Sequence, residues 1–228
     1  MRRLALRACA ILLLACQTAG AATYYVNDSV TTGDLYTIAK GNAANTGLTA
    51  SSPKASLQDI VDTYDLEPGD RIYVDAGTYT LNAPITWGAN DSGSSSAPVQ
   101  ILGVPGGSNT KLVGSGAAYA LVIGAGCEWV TVRSITAQSA TTAGIAILGG
   151  KDISLVDCTV QNNTGSGVYA EAAVRMSVQS CVVSGNGSAG IFCSRSSVPT
   201  ITSTMVYGNP QSLFFEETPG AQVDHCLL

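Results

Sequence analysis

VTVRSITAQSA (residues 130–140), ISLVDCTVQNN (153–163), MSVQSCVVSGN (176–186) and PTITSTMVYGN (199–209) lie one below another at a step of 23 residues. Apolar columns persist through the step. One column is Val132, Leu155, Val178 and Ile201, the next Ile135, Cys158, Cys181 and Thr204, and a third Ala137, Val160, Val183 and Val206. Past the turn comes Ile145, Val168, Ile191 and Phe214. Within each unit apolar residues alternate, which is the period of a half-buried strand. The phase slips at Ser134, Asp157, Ser180 and Ser203. A strand cannot change phase without a bend or bulge, so a corner belongs there. A second corner belongs at the Asn- and Gly-rich residues before Gly144, Gly167 and Gly190.

Several short strands per 23 residues, with small residues between them, describe a β-solenoid. A leucine-rich repeat of this period would carry LxxLxL runs and helical stretches. Here the periodic residues are Val and Ile with Gly and Ser between them, so that alternative is rejected. Asn163, Asn186 and Asn209 recur at the same step. Asn tolerates the left-handed corner conformation, and stacked amides can bond one to the next, so these three read as a structural ladder.

Above Val130 the repeat loosens. Ile72-Tyr73-Val74 and Val99-Gln100-Ile101 read as earlier strands of the Val130–Val132 column, separated by insertions such as 88–97, giving roughly six coils. The head differs: Leu57, Ile60, Val61 and Tyr64 have helical spacing behind a Ser56 N-cap. A short amphipathic helix over 56–64 is therefore expected to cover the first coil, because an open solenoid end exposes both core and strand edges.

The 228 residues are 46% hydrophobic, only 12% charged, and include 25 glycines. This excludes a helical protein, whose surface needs Lys, Glu and Arg, and excludes disorder. Arg2, Arg3 and Arg7, the apolar run 8–15 and Ala19-Gly20-Ala21 form the three parts of an export signal over 1–22. The run is too short to span a membrane, and no later one is long enough. Leu13-Leu14-Ala15-Cys16 offers a second route, lipidation at Cys16. Either places the chain outside the cytoplasm, secreted or at the cell surface. Removing the three arginines takes the formal charge from −5 to −8. Nucleic acid and anionic membrane surfaces are disfavoured, since both need a basic footprint. An acidic polysaccharide would need calcium or a local basic strip.

Five cysteines follow the signal: Cys127, Cys158, Cys181, Cys193 and Cys226. The odd count is not a closed disulfide framework, and no pair has zinc spacing. Cys158 and Cys181 stack inward as packed thiols. His225, the single histidine, reads as a surface residue.

The head resembles a known family. Thr23-Tyr24-Tyr25-Val26, then 41–48 (GNAANTGL), then 52–58 (SPKASLQ), then 66–79 (LEPGDRIYVDAGTY) follow its opening pattern: YYV, a GxDxNxG loop, a P-x-x-S-L-Q helix, and PGD-x-I-x-V-x-x-G-x-Y. The chain resembles secreted right-handed parallel β-helix proteins, which include pectate-lyase-like and alginate- or chondroitin-lyase-like enzymes and uncharacterised surface modules. The resemblance implies an all-β, single-stranded right-handed parallel β-helix: signal 1–22, cap 23–70, coils 71–228. It also implies calcium held by carboxylates beside a Lys or Arg base. Here the acidic loop has become Gly41-Asn42-Ala43-Ala44-Asn45, no acidic cluster flanks a basic residue, and the residues alone indicate no metal site. The paired carboxylates of a glycosidase are missing too.

Outward positions remain as candidates. Ala146, Tyr169, Phe192 and Phe215 form one column, with Leu148, Glu171, Ser194 and Glu217 beside it. Three aromatics with nearby carboxylates suit sugar rings. They equally suit a ladder that shields the sheet. Glu216 then falls in the inward column of Ile147, Ala170 and Cys193, which marks the last coil as irregular. Asp152 and Arg175, also 23 apart, suit an exposed ion pair worth roughly 0–1 kcal/mol. By resemblance Arg175 is a candidate base; no residue indicates one otherwise. Two functions follow: a secreted β-helix that binds extracellular polysaccharide, of polysaccharide-lyase type, or a structural or adhesive segment of a larger surface protein. Residues 223–228 read as the opening of a further coil, so the chain is expected to be part of a longer helix and to self-associate through its uncapped end.

Overall fold

The computed structural model describes residues 20–106, 109–195 and 197–228. The signal segment 1–22 and Cys16 lie outside them, except for 20–22. No helix among the described residues is long and apolar enough to cross a membrane.

Three parallel sheets wind around one core. The first has eight strands: Thr23–Val26, Arg71–Val74, Val99–Gly103, Glu128–Arg133, Lys151–Val156, Met176–Gln179, Pro199–Thr202 and Gln222–Asp224. The second has six: Ile85–Trp87, Tyr119–Ile123, Ala143–Leu148, Ser166–Glu171, Ala189–Ser194 and Gln211–Phe215. The third also has six: Gly77–Thr80, Thr110–Val113, Thr136–Gln138, Thr159–Gln161, Val182–Ser184 and Met205–Tyr207. This is a right-handed parallel β-helix. The sequence register holds: Val132 pairs with Leu155, Leu155 with Val178, and Val178 with Ile201. Ile72 pairs with Ile101 and Ile101 with Val132, so the irregular upper coils join the same sheet. Thr23–Val26 pairs with Arg71–Val74 and is the sheet's first strand.

Inward columns of Val, Ile, Leu and Ala are buried in one core, while alternate side chains face outward and the strand edges bond to the adjoining coils. Corners are set by residues in the left-handed region. Ser134, Asp157, Ser180, Ser203 and His225 share φ values of 50–56°, which is the corner the phase slip predicts. A second column is Ser139, Asn162, Gly185 and Gly208. The ladder asparagines are therefore not the left-handed residues; those stand one position earlier. Asn163 and Asn186 are instead buried, and their amides point inward. Asn163 Nδ2 donates to Asn186 Oδ1 (2.9 Å) and Asn186 Nδ2 to Asn209 Oδ1 (3.0 Å). Gly144, Gly167 and Gly190 follow from this. A Cβ at Gly167 would lie 2.8 Å from the Asn186 amide nitrogen and 2.6 Å from Val183 Cγ1. Space, not backbone conformation, demands glycine there.

The thiols form a comparable column. Cys181 Sγ accepts from Cys158 N (3.4 Å) and donates to Gln179 O (3.2 Å). In the next coil Thr204 Oγ1 accepts from Cys181 N (3.3 Å). All five described cysteines are free. Burial pushes the Cys127 and Cys193 thiols up to about 12.

The helix is Leu57–Val61, shorter than the 56–64 expected. Ser56 Oγ accepts from Asp59 N and Asp59 Oδ2 accepts from Ser56 N, each at 3.1 Å, a reciprocal N-terminal box. Leu57 and Ile60 enter the core. The helix ends at Asp62, and Tyr64 leaves the helical phase to pack on Tyr24, with ring centroids 4.7 Å apart.

Candidate functional site

The outward strip lies on the second sheet. Ala146 pairs with Tyr169, Tyr169 with Phe192, and Phe192 with Phe214. Phe214, not Phe215, completes the column. Phe215 pairs with Cys193, which places it in the inward column at the lower end. The cause is a one-residue deletion. Pro210 alone joins Asn209 to the strand beginning at Gln211, whereas Gly187 and Ser188 join Asn186 to Ala189. The step shortens to 22 there, and it stays 22 where Ile201 pairs with Val223.

The same slip moves the carboxylates. Glu216 N donates to Cys193 O (2.9 Å), so Glu216 falls below Ser194 and Glu171. Glu217 instead takes a left-handed corner position at φ 51°, in the column of Gly126, Gly149, Ala172 and Arg195. Of the five residues read as a strip, the structure aligns Tyr169, Phe192 and Glu171. It replaces Phe215 with Phe214 and Glu217 with Glu216.

The rings are stacked. Tyr169 and Phe192 have centroids 5.2 Å apart at 12° between planes; Phe192 and Phe214 are 4.9 Å apart at 20°. All three are half-buried. Near-parallel stacking turns ring faces toward one another, so solvent meets mostly ring edges, which carry the positive end of the quadrupole. The Tyr169 hydroxyl donates to Glu171 Oε2 (2.7 Å). That bond to the carboxylate, aided by burial, pushes the Tyr169 phenol above its ordinary value. Arg195, which no column reading singles out, pairs with the other Glu171 oxygen. Its signal was hidden because it sits at a corner rather than in a strand.

Other charged neighbours are also matched. Arg175 grips Asp152 through two nitrogens, Nε to Oδ1 at 2.7 Å and Nη2 to Oδ2 at 2.5 Å. Asp152 is largely covered and Arg175 is not, so the pair is half-shielded rather than fully exposed. A guanidinium held by both carboxylate oxygens is a poor base. Lys151 pairs with Glu128 (2.9 Å) and Arg133 with Asp157 (2.5 Å). Among the described residues no three His, Cys, Asp or Glu side chains converge to hold a metal ion, so the residues present do not fit the carboxylate-held calcium that the resemblance implies. A second aromatic group, Tyr25, Tyr36 and Tyr73, lies on the first sheet, with centroids 5.9 and 4.6 Å apart. Tyr36 reaches it from the head loop and donates to Gly103 O (3.1 Å), a contact with no periodic signal.

Three parallel sheets, left-handed corners and stacked inward columns define the class: a parallel β-helix solenoid. The right-handed β-helix region family matches residues 107–228, and the chain belongs to that family. No curated protein sequence matches it significantly. Among solved structures it is similar to a pectate lyase, Pel9A, with a TM-score of 0.64 and 16% identity over 86% of this chain and 53% of that one. It is also similar to a rhamnogalacturonan lyase, with a TM-score of 0.51 and 12% identity over 91% and 63%. The chain thus spans between about half and two-thirds of the length of these proteins. At such identities the likeness is one of fold.

Proposed function

We propose that this β-helix is a secreted or cell-surface module that binds extracellular polysaccharide along the strip Tyr169, Phe192 and Phe214, with Glu171, Arg195 and Glu216 alongside. The observation that carries the reading is the half-buried ring ribbon running beside hydrogen-bonding groups on one sheet face. Apolar surface next to directional acceptors and donors suits a ligand with C–H patches and hydroxyls. The two lyases of like fold support a glycan in general; they do not specify one.

A second reading is favoured by the stacking itself. The ring faces are engaged with each other and Glu171 is engaged with both Tyr169 and Arg195, as in a self-satisfied structural or adhesive segment. A glycan array separates the two. The glycan reading expects binding by the unaltered chain, loss of it on Phe192→Ala, and marked weakening on Arg195→Ala. Arg195 is exposed, so its truncation is expected to leave the fold intact. Binding that survives both changes, or no binding at all, favours the second reading. Phe192 is the middle ring, so its loss also removes two stacking contacts worth about 0.5–1.5 kcal/mol each.

A further inference from the structure

We propose that the polymer bound at this strip is an uncharged glycan rather than a polyuronate; the inference rests on the glycan reading and narrows it. The described residues include eight Lys and Arg side chains. Every one on the coils from 128 onward is committed to a carboxylate: Arg133 to Asp157, Lys151 to Glu128, Arg175 to Asp152 and Arg195 to Glu171. Lys54 is buried and donates to Ala43 O (2.8 Å). The other three are scattered: Lys40 on the head loop, Arg71 on the first sheet, Lys111 on the third. No sheet face gathers two free cations.

The strip has the opposite balance. Glu171, Glu216 and Glu217 stand against one guanidinium, Arg195, which Glu171 already neutralises. A uronate laid here would meet like charges, a juxtaposition that costs affinity and slows encounter. A divalent bridge has no preformed seat among the described residues. Sugar hydroxyls match what is present. Their hydrogens suit the carboxylates, which are acceptors only, and their oxygens suit the Arg195 nitrogens and the positive ring edges.

The test is equilibrium binding of the chain in the presence of chelator, with mannan, galactan and a cello-oligosaccharide as neutral probes and polygalacturonate and alginate as acidic ones. At least one neutral probe should bind about tenfold or more tightly than either uronate. That binding should hold within about twofold between low and high salt, because no ion pair with the ligand is involved. Glu171→Gln with Glu216→Gln, which frees Arg195 and removes two negative charges, should raise uronate affinity at least about tenfold. Preference for a uronate by the unaltered chain, or neutral-probe binding that collapses with salt, overturns this inference and leaves the glycan reading standing. Binding of no probe from either group overturns the glycan reading itself and this inference with it.

Discussion

Asn186→Ala should be among the most damaging single changes to a polar residue in the coils, and its cost can be worked bond by bond. The Asn186 side chain makes four hydrogen bonds at 2% residue exposure. Its Oδ1 accepts from Asn163 N (3.1 Å) and Asn163 Nδ2 (2.9 Å). Its Nδ2 donates to Val160 O (3.2 Å) and Asn209 Oδ1 (3.0 Å). Truncation does not strand all four partners. Asn163 Nδ2 keeps Ala137 O at 3.4 Å, and Asn209 Oδ1 keeps Asn186 N at 2.9 Å. The Val160 carbonyl keeps its place in the ladder, where Gln161 pairs with Ser184, so the Asn163 backbone N–H alone is stranded in the buried corner. At about 1–3 kcal/mol for a stranded buried group, the loss is about 1–3 kcal/mol. Against a typical total of about 5–15 kcal/mol this is large. With a urea slope of about 2–3 kcal/mol/M, the midpoint should fall by on the order of 0.5–1 M. Asn209→Ala is the internal control. Asn209 also accepts from the Asn186 N–H (2.9 Å), but it is only partly buried, so water reaches that group once the side chain is gone and the midpoint should fall by less. Urea titration by circular dichroism measures both. A fall for Asn186→Ala that is no larger than for Asn209→Ala, or a loss below about 1 kcal/mol, would refute the ladder as a buried, load-sharing element.

Three further outcomes follow from the same geometry. Gly167→Ala has no φ penalty but puts a methyl 2.6 Å from Gly190 O and Val183 Cγ1, so urea melting should show a loss of about 1–3 kcal/mol. Ala172→Gly acts the other way: Ala172 is exposed at φ 52°, a conformation costing about 1–2 kcal/mol for a residue with a Cβ, and relief minus the added unfolded-state entropy should leave stability unchanged or up to about 1 kcal/mol higher. The buried thiols set an alkaline limit: Cys127 and Cys193 hold their protons to about 12 when folded but ionise near their usual value when unfolded, so the unfolded state binds fewer protons above that value. Stability should therefore be flat below pH ~8.5 and fall above it by about 1.4 kcal/mol per pH unit for each thiol, and a melting temperature that stays level from pH 8 to 10 would count against their burial.

The solenoid was legible because its contacts repeat. Val132, Leu155, Val178 and Ile201 occupy one site four times, so a pattern weak in any one coil becomes strong when coils are superposed. The serine and aspartate corners were legible for the same reason, since a phase slip recurring at a fixed step has a single geometric cause. The asparagine corner was half legible. The recurrence of Asn163, Asn186 and Asn209 gave the amide ladder, but attention to asparagine's tolerance for φ > 0 assigned the left-handed position one residue late. The correct column mixes Ser139, Asn162, Gly185 and Gly208, with no shared residue type to reveal it. The corner column Trp129, Asp152 and Arg175 was invisible, because bulky residues such as Trp and Arg rarely take that conformation and one aspartate between them makes no column.

Contacts that no period connects were the least legible. Asp75 is fully buried and accepts from the backbone nitrogens of Leu35, Tyr36 and Thr37 and from the Thr37 hydroxyl. One carboxylate so fixes a head loop roughly forty residues away, and no period connects them. The lower end of the strip failed for a smaller reason of the same kind. Pro210 replaces two linking residues by one, and every assignment after it moves by one place, taking Phe215 and Glu217 out of the column and bringing in Phe214 and Glu216. In a strand a one-residue shift exchanges the two faces, so an error harmless to the fold reverses which side chains a ligand would meet. Glu216, which would have been a carboxylate in the inward column, was the visible sign of it. A β-helix tolerates such slips because each coil needs only its neighbours. The repeat can therefore fix the architecture while leaving the outer face free to vary coil by coil, and the charge pairing of Arg195 with Glu171 belongs to that variable layer.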